Sequence, residues 1–219
     1  MAKSFRWPKD ENELREREAA GLWLAQALAK EIGEGKERIT LEVISRIHKT
    51  FFEDVNPDIA GRFRRTGEDI KKLKHMTPPP GTAVQARMYE FWREFDTRLS
   101  QIANEPKGGG KKTYEKALQQ RNEAVIDLAT WTQHQMAAIH PFCEGNGRMA
   151  RMTTNLVLYR FKLQPTDIKY EGENKVAYLD ALGAIDKDGD YRPLKQLIIK
   201  GIITSYQKLA AAKKKVTKK

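Results

Sequence analysis

The stretch HPFCEGNGRMAR, from His140 to Arg151, is the most informative part of the sequence for fold and function. It concentrates several reactive groups in twelve residues. It contains one base, one carboxylate, two glycines around an amide, and two arginines three positions apart. Apolar residues at helical spacing precede and follow it. The pattern therefore predicts a glycine-rich loop between two helices.

Each residue type in this stretch suits the transfer of a phosphorus group from a nucleoside triphosphate. His140 can accept the proton of a hydroxyl group, and the glycines allow backbone N–H groups to turn toward an anion. Glu144 supplies a hard oxygen of the kind that Mg²⁺ binds together with substrate phosphates. Arg148 and Arg151 share one helix face and can hold further phosphate oxygens. For any single residue an ordinary surface role is the simpler interpretation, but the joint spacing favours phosphoryl or nucleotidyl transfer.

The same stretch resembles the signature of the Fic family, His-x-Phe-x-(Asp/Glu)-Gly-Asn-Gly-Arg-x-x-Arg, and it matches that signature at every fixed position. The resemblance implies a protein adenylyltransferase that uses ATP and Mg²⁺. Such an enzyme transfers AMP to a Ser, Thr or Tyr hydroxyl of a target protein and releases pyrophosphate. Gly147 supports nucleotidyl transfer, because the related Doc-type kinases carry a lysine at that position and phosphorylate instead.

The resemblance also implies a role for each fixed residue. His140 would activate the target hydroxyl, Phe142 would anchor the loop in the core, and Glu144 would hold Mg²⁺ on the α and β phosphates. The implied nucleotide-binding residues are Gly145, Asn146 and Gly147 as a phosphate cradle, with Asn146 on the α-phosphate, and Arg148 and Arg151 on the β and γ phosphates.

A second part of the resemblance lies upstream of the motif. Residues 52–55 (FEDV) and 60–64 (AGRFR) look like the run that precedes a β-hairpin flap in Fic proteins. In the family this flap pairs with the target peptide as an added strand. The short, charged sequence, interrupted by glycine, is equally compatible with a surface loop. The target-docking residues that the resemblance implies are Thr66, Gly67, Glu68, Asp69 and Ile70.

Helical periodicity runs through most of the chain. The expected fold is therefore mainly α: a Fic-type helical bundle with one small β-hairpin flap. His48 lies on the apolar face of the second helix, where a packed, hydrogen-bonded core histidine is expected. Residues 1–36 are expected to form an N-terminal helical extension, residues 37–209 the Fic domain, and residues 210–219 a basic disordered tail. The predicted helices cover residues 9–35, 40–53, 82–104, 113–139, 148–162, 174–186 and 193–209.

Composition limits the partners and the compartment. The 219 residues carry a net charge of +11, of which five lysines in the last seven residues supply a large part. The single cysteine excludes an internal disulfide and fits a reducing compartment. No apolar leader and no run of about 18 apolar residues occurs, so a cytoplasmic protein without membrane contact is expected. The charge permits nucleic-acid binding, but no recognised binding motif accompanies it, so a nucleic-acid partner is not expected.

Regulation is where the sequence departs from the family pattern. Many Fic proteins are inhibited by a helix with the pattern (Ser/Thr)-x-x-x-Glu-(Gly/Asn), whose glutamate pairs with the second arginine, and this chain has no match. Our hypothesis is that a small antitoxin-like partner inhibits in trans by docking near Arg151. The functional alternatives are a related Fic chemistry with UMP, phosphocholine or phosphate, a non-enzymatic basic nucleic-acid-binding protein, and an inactive Fic scaffold.

Overall fold

The computed structural model describes residues 5–70, 73, 76–102, 110–168 and 172–216, and this part of the chain forms seven helices. The mainly α fold expected from the sequence is confirmed. Within the described residues, no helix has the length and apolar character needed to cross a membrane. The helices are α1 (Glu11–Glu34), α2 (Leu41–Phe52), α3 (Gly81–Gln101), α4 (Lys111–Ile139), α5 (Asn146–Arg160), α6 (Gly172–Asp188) and α7 (Arg192–Val216).

The N-termini of the first two helices are set by polar caps. The side chain of Asp10 accepts a hydrogen bond of 2.9 Å from the backbone N–H of Glu13, and Thr40 does the same for Val43 at 3.4 Å. Such caps satisfy backbone donors that have no partner inside the helix. Local sequence thus fixes where α1 and α2 begin.

Helices α4 and α5 flank the motif loop, and α5 also packs against α1. Helix α1 lies directly on α2, because a Cβ atom at Gly21 would stand 2.2 Å from the carbonyl oxygen of Phe51. Near its C-terminus α1 contacts α5, where a Cβ at Gly33 would meet Tyr159 Cβ at 2.5 Å. Helix α1 therefore shares the core that supports the motif, while a domain boundary near residue 36 stays a prediction.

The C-terminal helix is longer than predicted. Helix α7 continues to Val216, so residues 210–216 are helical where the sequence predicted a disordered tail. Three consecutive alanines followed by lysines explain the difference, since both residue types favour helix. Residues 217–219 lie outside the described residues.

The predicted β-hairpin flap is not seen as paired strands in the part of this segment that the structure describes. The segment contributes one isolated antiparallel bridge, between Phe63 and Phe142 of the motif. Residues 71, 72, 74 and 75, which follow the predicted docking residues, lie outside the described part.

Candidate active site

A cavity of about 880 Å³ lies where the motif loop, the segment before α3 and helix α6 meet. This volume falls in the range of small-molecule sites. The structure brings together here every motif residue predicted for the site except Phe142. Those lining residues are His140, Glu144, Gly145, Asn146, Gly147, Arg148 and Arg151.

His140 follows the last residue of α4 in a left-handed conformation, with a φ of 50°. Its Nδ1 lies 2.7 Å from the carbonyl oxygen of Ala137. Because a carbonyl only accepts, Nδ1 carries the proton and Nε2 of the neutral ring keeps its lone pair. Burial lowers the pKa of His140; the bond to Ala137 opposes this change, and the charge of Arg64 adds to it. The ring is thus held in the form that a general base requires.

Phe142 fastens the loop to the core beneath the cavity. Its side chain is fully buried and stacks on the ring of His48, with centroids 3.8 Å apart and planes at 3°. His48 Nδ1 accepts from the backbone N–H of Gly61 at 2.9 Å, so Nε2–H is left to donate to the carbonyl oxygen of Glu144 at 3.2 Å. The prediction that His48 is a packed, hydrogen-bonded core histidine is confirmed.

Because His48 is buried, we expect the folded protein to lose stability at mildly acidic pH. Burial lowers its pKa from 6.5 to about 4, although its bond to Glu144 acts in the opposite direction. The unfolded chain therefore binds a proton at a higher pH than the folded chain does. The free energy of unfolding should decrease as the pH falls from about 6.5 toward 4, by up to about 3 kcal/mol.

Thermal unfolding of the wild type and His48→Gln across this pH range checks the prediction. We expect the variant to be less stable at neutral pH, because it loses packing against Phe142, but to lose less stability on acidification. Parallel losses in the two proteins would assign the acid sensitivity to other groups.

The N-terminus of α5 lines the cavity with backbone N–H groups that suit an anion. The helix begins after Gly145, whose φ is 74°, and no side-chain hydrogen bond caps it. Its first backbone bond runs from Met149 N to Gly145 O at 2.9 Å, so the preceding N–H groups are not used inside the helix. These groups and the helix dipole favour a bound anion. Gly145 is required sterically as well, since a Cβ there would lie 2.5 Å from Phe52 Cε2.

Asn146 links the two ends of the motif loop. Its Oδ1 accepts from the backbone N–H of Phe142 at 2.8 Å, and its Nδ2 donates to the carbonyl oxygen of the same residue at 2.7 Å. The amide has two N–H donors, and this pair of bonds uses one of them. The contact with an α-phosphate that the family resemblance implies would therefore depend on the second N–H.

Arg148 has a partner that sequence reasoning missed. Its Nη1 lies 3.3 Å from Glu18 Oε2, and its guanidinium group stands over the ring of Phe51 at 4.5 Å. Glu18 lies on the face of α1 that also carries the buried Gly21 and Ala25. A carboxylate within an apolar stripe was the available signal. A bound phosphate would have to compete with this ion pair.

Replacing Glu18 should strengthen the binding of ATP. In Glu18→Gln the ion pair is lost, and partly exposed pairs of this kind contribute about 0.2–1 kcal/mol. We therefore expect the dissociation constant for ATP with Mg²⁺ to fall by up to about five-fold. Isothermal titration measures it, with Glu16→Gln on the exposed side of α1 as the charge-matched control. Weaker binding in Glu18→Gln would show instead that Glu18 orients Arg148 for the nucleotide.

Of the predicted target-docking residues, only Ile70 lines the cavity. Glu68 is used within the segment, since both of its carboxylate oxygens accept hydrogen bonds from Arg62 at 2.7 Å. These two hydrogen bonds hold residues 62–68 in a turn. The exposed members of the predicted set are Thr66, Gly67 and Asp69.

Helix α6 forms a wall of the cavity that the sequence analysis did not assign. Tyr178 is fixed there because its hydroxyl accepts from Gln133 Nε2 at 2.8 Å, and Gln133 in turn accepts from Thr154 Oγ1 at 2.5 Å. The wall residues recur at helical spacing, but nothing in the sequence showed which element they face. They are Lys175, Tyr178, Leu179 and Leu182.

Glu144 is an exposed carboxylate that lines the cavity together with the N-terminus of α5. No group of three or more His, Cys, Asp or Glu side chains that could hold a metal ion occurs among the described residues. One carboxylate with substrate phosphates and water is a donor set that Mg²⁺ accepts. The residues present thus fit a metal ion that binds together with a nucleotide.

Comparison with known proteins identifies the class of protein that this fold and site define. The profile of the Fic/DOC family matches residues 38–158, more than half of the chain. The chain belongs to the Fic/DOC family.

Two curated relatives show the extent of the sequence similarity. The protein adenylyltransferase Fic of Drosophila grimshawi is 26% identical over 164 residues, which cover 74% of this chain and 28% of the relative. That of Culex quinquefasciatus is 26% identical over 161 residues, 73% of this chain and 27% of the relative. The chain thus spans little more than a quarter of the length of these relatives.

The solved structures share the fold. A fragment of Fic-1 from C. elegans superposes with a TM-score of 0.68 at 21% identity, covering 95% of this chain and 54% of that one. The BepC effector of Bartonella tribocorum, solved with bound AMPPNP, gives a TM-score of 0.58 at 17% identity and covers 88% of each chain. At these identities the likeness establishes the fold alone.

Proposed function

We propose that this protein is an adenylyltransferase that transfers AMP from ATP to a Ser, Thr or Tyr hydroxyl of a target protein and releases pyrophosphate. One observation carries the proposal. A neutral histidine whose Nε2 keeps its lone pair lines the same cavity as an uncapped helix N-terminus and two arginines. The name of the curated relatives, protein adenylyltransferase, supports the same chemistry.

The phosphates of ATP would lie on the N-terminus of α5. The backbone N–H groups of residues 145–147 and the second amide N–H of Asn146 would bind the α-phosphate. Arg148 and Arg151 would hold the β and γ phosphates, where planar guanidinium groups match phosphate oxygens. Tyr178, Leu179 and Leu182 of the α6 wall would receive the nucleobase. This arrangement would leave the α-phosphorus near His140.

Transfer then requires one proton acceptor and one in-line attack. Nε2 of His140 accepts the proton of the target hydroxyl while the hydroxyl oxygen forms a bond to the α-phosphorus. The bond from that phosphorus to the bridging oxygen breaks, and pyrophosphate leaves. The backbone donors and arginines stabilise the charge that develops on the phosphoryl oxygens. Glu144 would hold Mg²⁺, which when bound neutralises charge on the phosphates.

The partners belong to the same proposal. A target protein would approach along residues 66–70, which follow the bridge between Phe63 and Phe142 and end at Ile70 in the cavity lining. A small antitoxin-like protein would inhibit in trans by docking near Arg151, and both partners would be met in the cytoplasm. The inhibitor is inferred from the absence of the inhibitory pattern from this sequence.

Mass spectrometry of modified proteins tests the donor. The purified protein is incubated with cell lysate, Mg²⁺ and a mixture of ATP, UTP and CDP-choline, and adducts on Ser, Thr and Tyr are identified by mass. We expect adducts equal to one AMP moiety. UMP, phosphocholine or phosphate adducts instead would keep the site but change the proposed reaction.

A further inference from the structure

Arg64 is a fully buried arginine in the segment before α3, with only 2% of its surface exposed. Its place in the sequence, in the run AGRFR before the predicted flap, indicated no role in the site. A buried guanidinium group is costly unless its donors are paired. Its partners therefore show why it lies there.

One side of Arg64 binds three consecutive carbonyl groups at the start of the motif. Its Nε donates to the carbonyl oxygen of His140 at 2.7 Å, and its Nη2 donates to that of Ile139 at 3.3 Å. Its backbone N–H donates to the carbonyl oxygen of Pro141 at 2.8 Å. The end of α4 and the turn that follows are thus held by a single residue.

The other side of the guanidinium group is fixed to the segment before α3. Nη1 donates to the carbonyl oxygen of Glu68 at 3.0 Å, and Nη2 donates to that of Pro79 at 3.0 Å. All four of these side-chain bonds end on backbone carbonyls, so side-chain changes elsewhere do not remove them. Arg64 therefore ties the motif to a neighbouring segment through the planar geometry of its donors.

The hydrogen bonds of Arg64 are needed at this point because the backbone of His140 is in an uncommon conformation. A non-glycine residue with a φ of 50° is disfavoured and persists only where the surrounding structure enforces it. A positive charge is also favourable at the C-terminus of α4, where carbonyl groups lack helical partners. Arg64 supplies both the bonds and the charge.

We propose that Arg64 is a positioning residue for the reaction, which holds the His140 peptide so that the imidazole of His140 meets the target hydroxyl. The proposal rests on the proposed adenylyltransfer, in which His140 is the base. Arg64 itself is not among the residues that line the cavity, so it would act through His140.

The charge of Arg64 gives this role a measurable signature. It acts on His140 in the same direction as burial, which is to lower the pKa of the imidazole. Removing the charge should therefore raise that pKa and move the acid limb of the pH–rate profile to higher pH. The charged groups that line the cavity with His140 stay unchanged in the variants; they are Glu144, Arg148, Arg151 and Lys175.

The test compares Arg64→Met, which removes charge and donors, with Arg64→Lys, which keeps the charge but not the planar fork. Arg65→Met, at the exposed neighbouring position, is the control. The first measurement is the ¹⁵N chemical shift of the His140 ring as a function of pH, which reports its tautomer and its pKa without any turnover. We expect displaced ring signals in both Arg64 variants, a raised pKa in Arg64→Met alone, and no change in Arg65→Met.

The second measurement is AMP transfer by the folded variants. A misplacement of about 1 Å costs on the order of 10²-fold in rate, so kcat should fall about 10²-fold in Arg64→Met and less in Arg64→Lys. The KM for ATP should change little. If Arg64→Met does not fold, the ring signals and kcat of Arg64→Lys alone test the proposal. A folded Arg64→Lys with wild-type ring signals and wild-type kcat would overturn the proposal. If no protein transfers AMP, the proposed function fails, and the ring signals still decide whether Arg64 positions His140.

Discussion

The variant His140→Ala should transfer AMP about 10²–10⁴-fold more slowly than the wild type and should still bind ATP. The imidazole is held with Nδ1–H on the carbonyl oxygen of Ala137, which leaves Nε2 to take the proton of the target hydroxyl. No other described contact of the ring holds the cradle together. Loss of the side chain therefore removes the base but leaves the phosphate-binding groups in place.

The check is a pair of measurements on each protein: the rate of AMP transfer and the dissociation constant for ATP with Mg²⁺. A melting temperature for each variant shows whether the fold is retained. If binding and transfer fell together by the same factor in a folded protein, His140 would be part of the nucleotide site and not the base.

We expect the replacement of Gly147 by alanine to reduce the rate of AMP transfer without reducing the stability of the fold. A Cβ atom at this position would meet only Arg151 Nη1, at 3.6 Å, which is an ordinary contact. The protein itself thus gives no packing reason for glycine, and alanine inside a helix is favoured by about 0.5–1 kcal/mol. We expect Gly147→Ala to be as stable as the wild type or slightly more stable.

Transfer should nevertheless fall by at least about 10²-fold in Gly147→Ala, because a methyl group would stand where phosphate oxygens approach the N-terminus of α5. Activity and melting temperature are measured together. Gly110→Ala is the matched control, since it also lies at a helix start and its added Cβ would meet no atom within 4 Å. Full activity in Gly147→Ala would mean that the nucleotide does not bind on this surface.

Much of the fold was predictable because its signals are local. The stripes of apolar residues predicted the helices, and the motif marked the loop between α4 and α5. The end of α7 was predicted poorly because the charge of the lysine run was given more weight than the helix propensity of the alanines before it. The expected hairpin depended on family resemblance and not on alternation in the sequence.

The site could be predicted only where its residues are neighbours in sequence. Motif residues from His140 to Arg151 were found together, since the loop after α4 and the first turns of α5 carry them. Arg64 and Glu18 were missed because each acts through a contact with a residue more than seventy positions away. The wall from α6 was missed for the same reason, since periodicity shows that a face is apolar but not what it packs against.

The most direct test of the account is the transfer of label from ATP labelled at the α-phosphate. The purified wild type, His140→Ala and Gly147→Ala are incubated in parallel with cell lysate and Mg²⁺, and label on protein is measured. We expect labelled protein with the wild type and almost none with either variant. Equal labelling by all three proteins, or label on protein only when it is carried on the γ-phosphate, would contradict it.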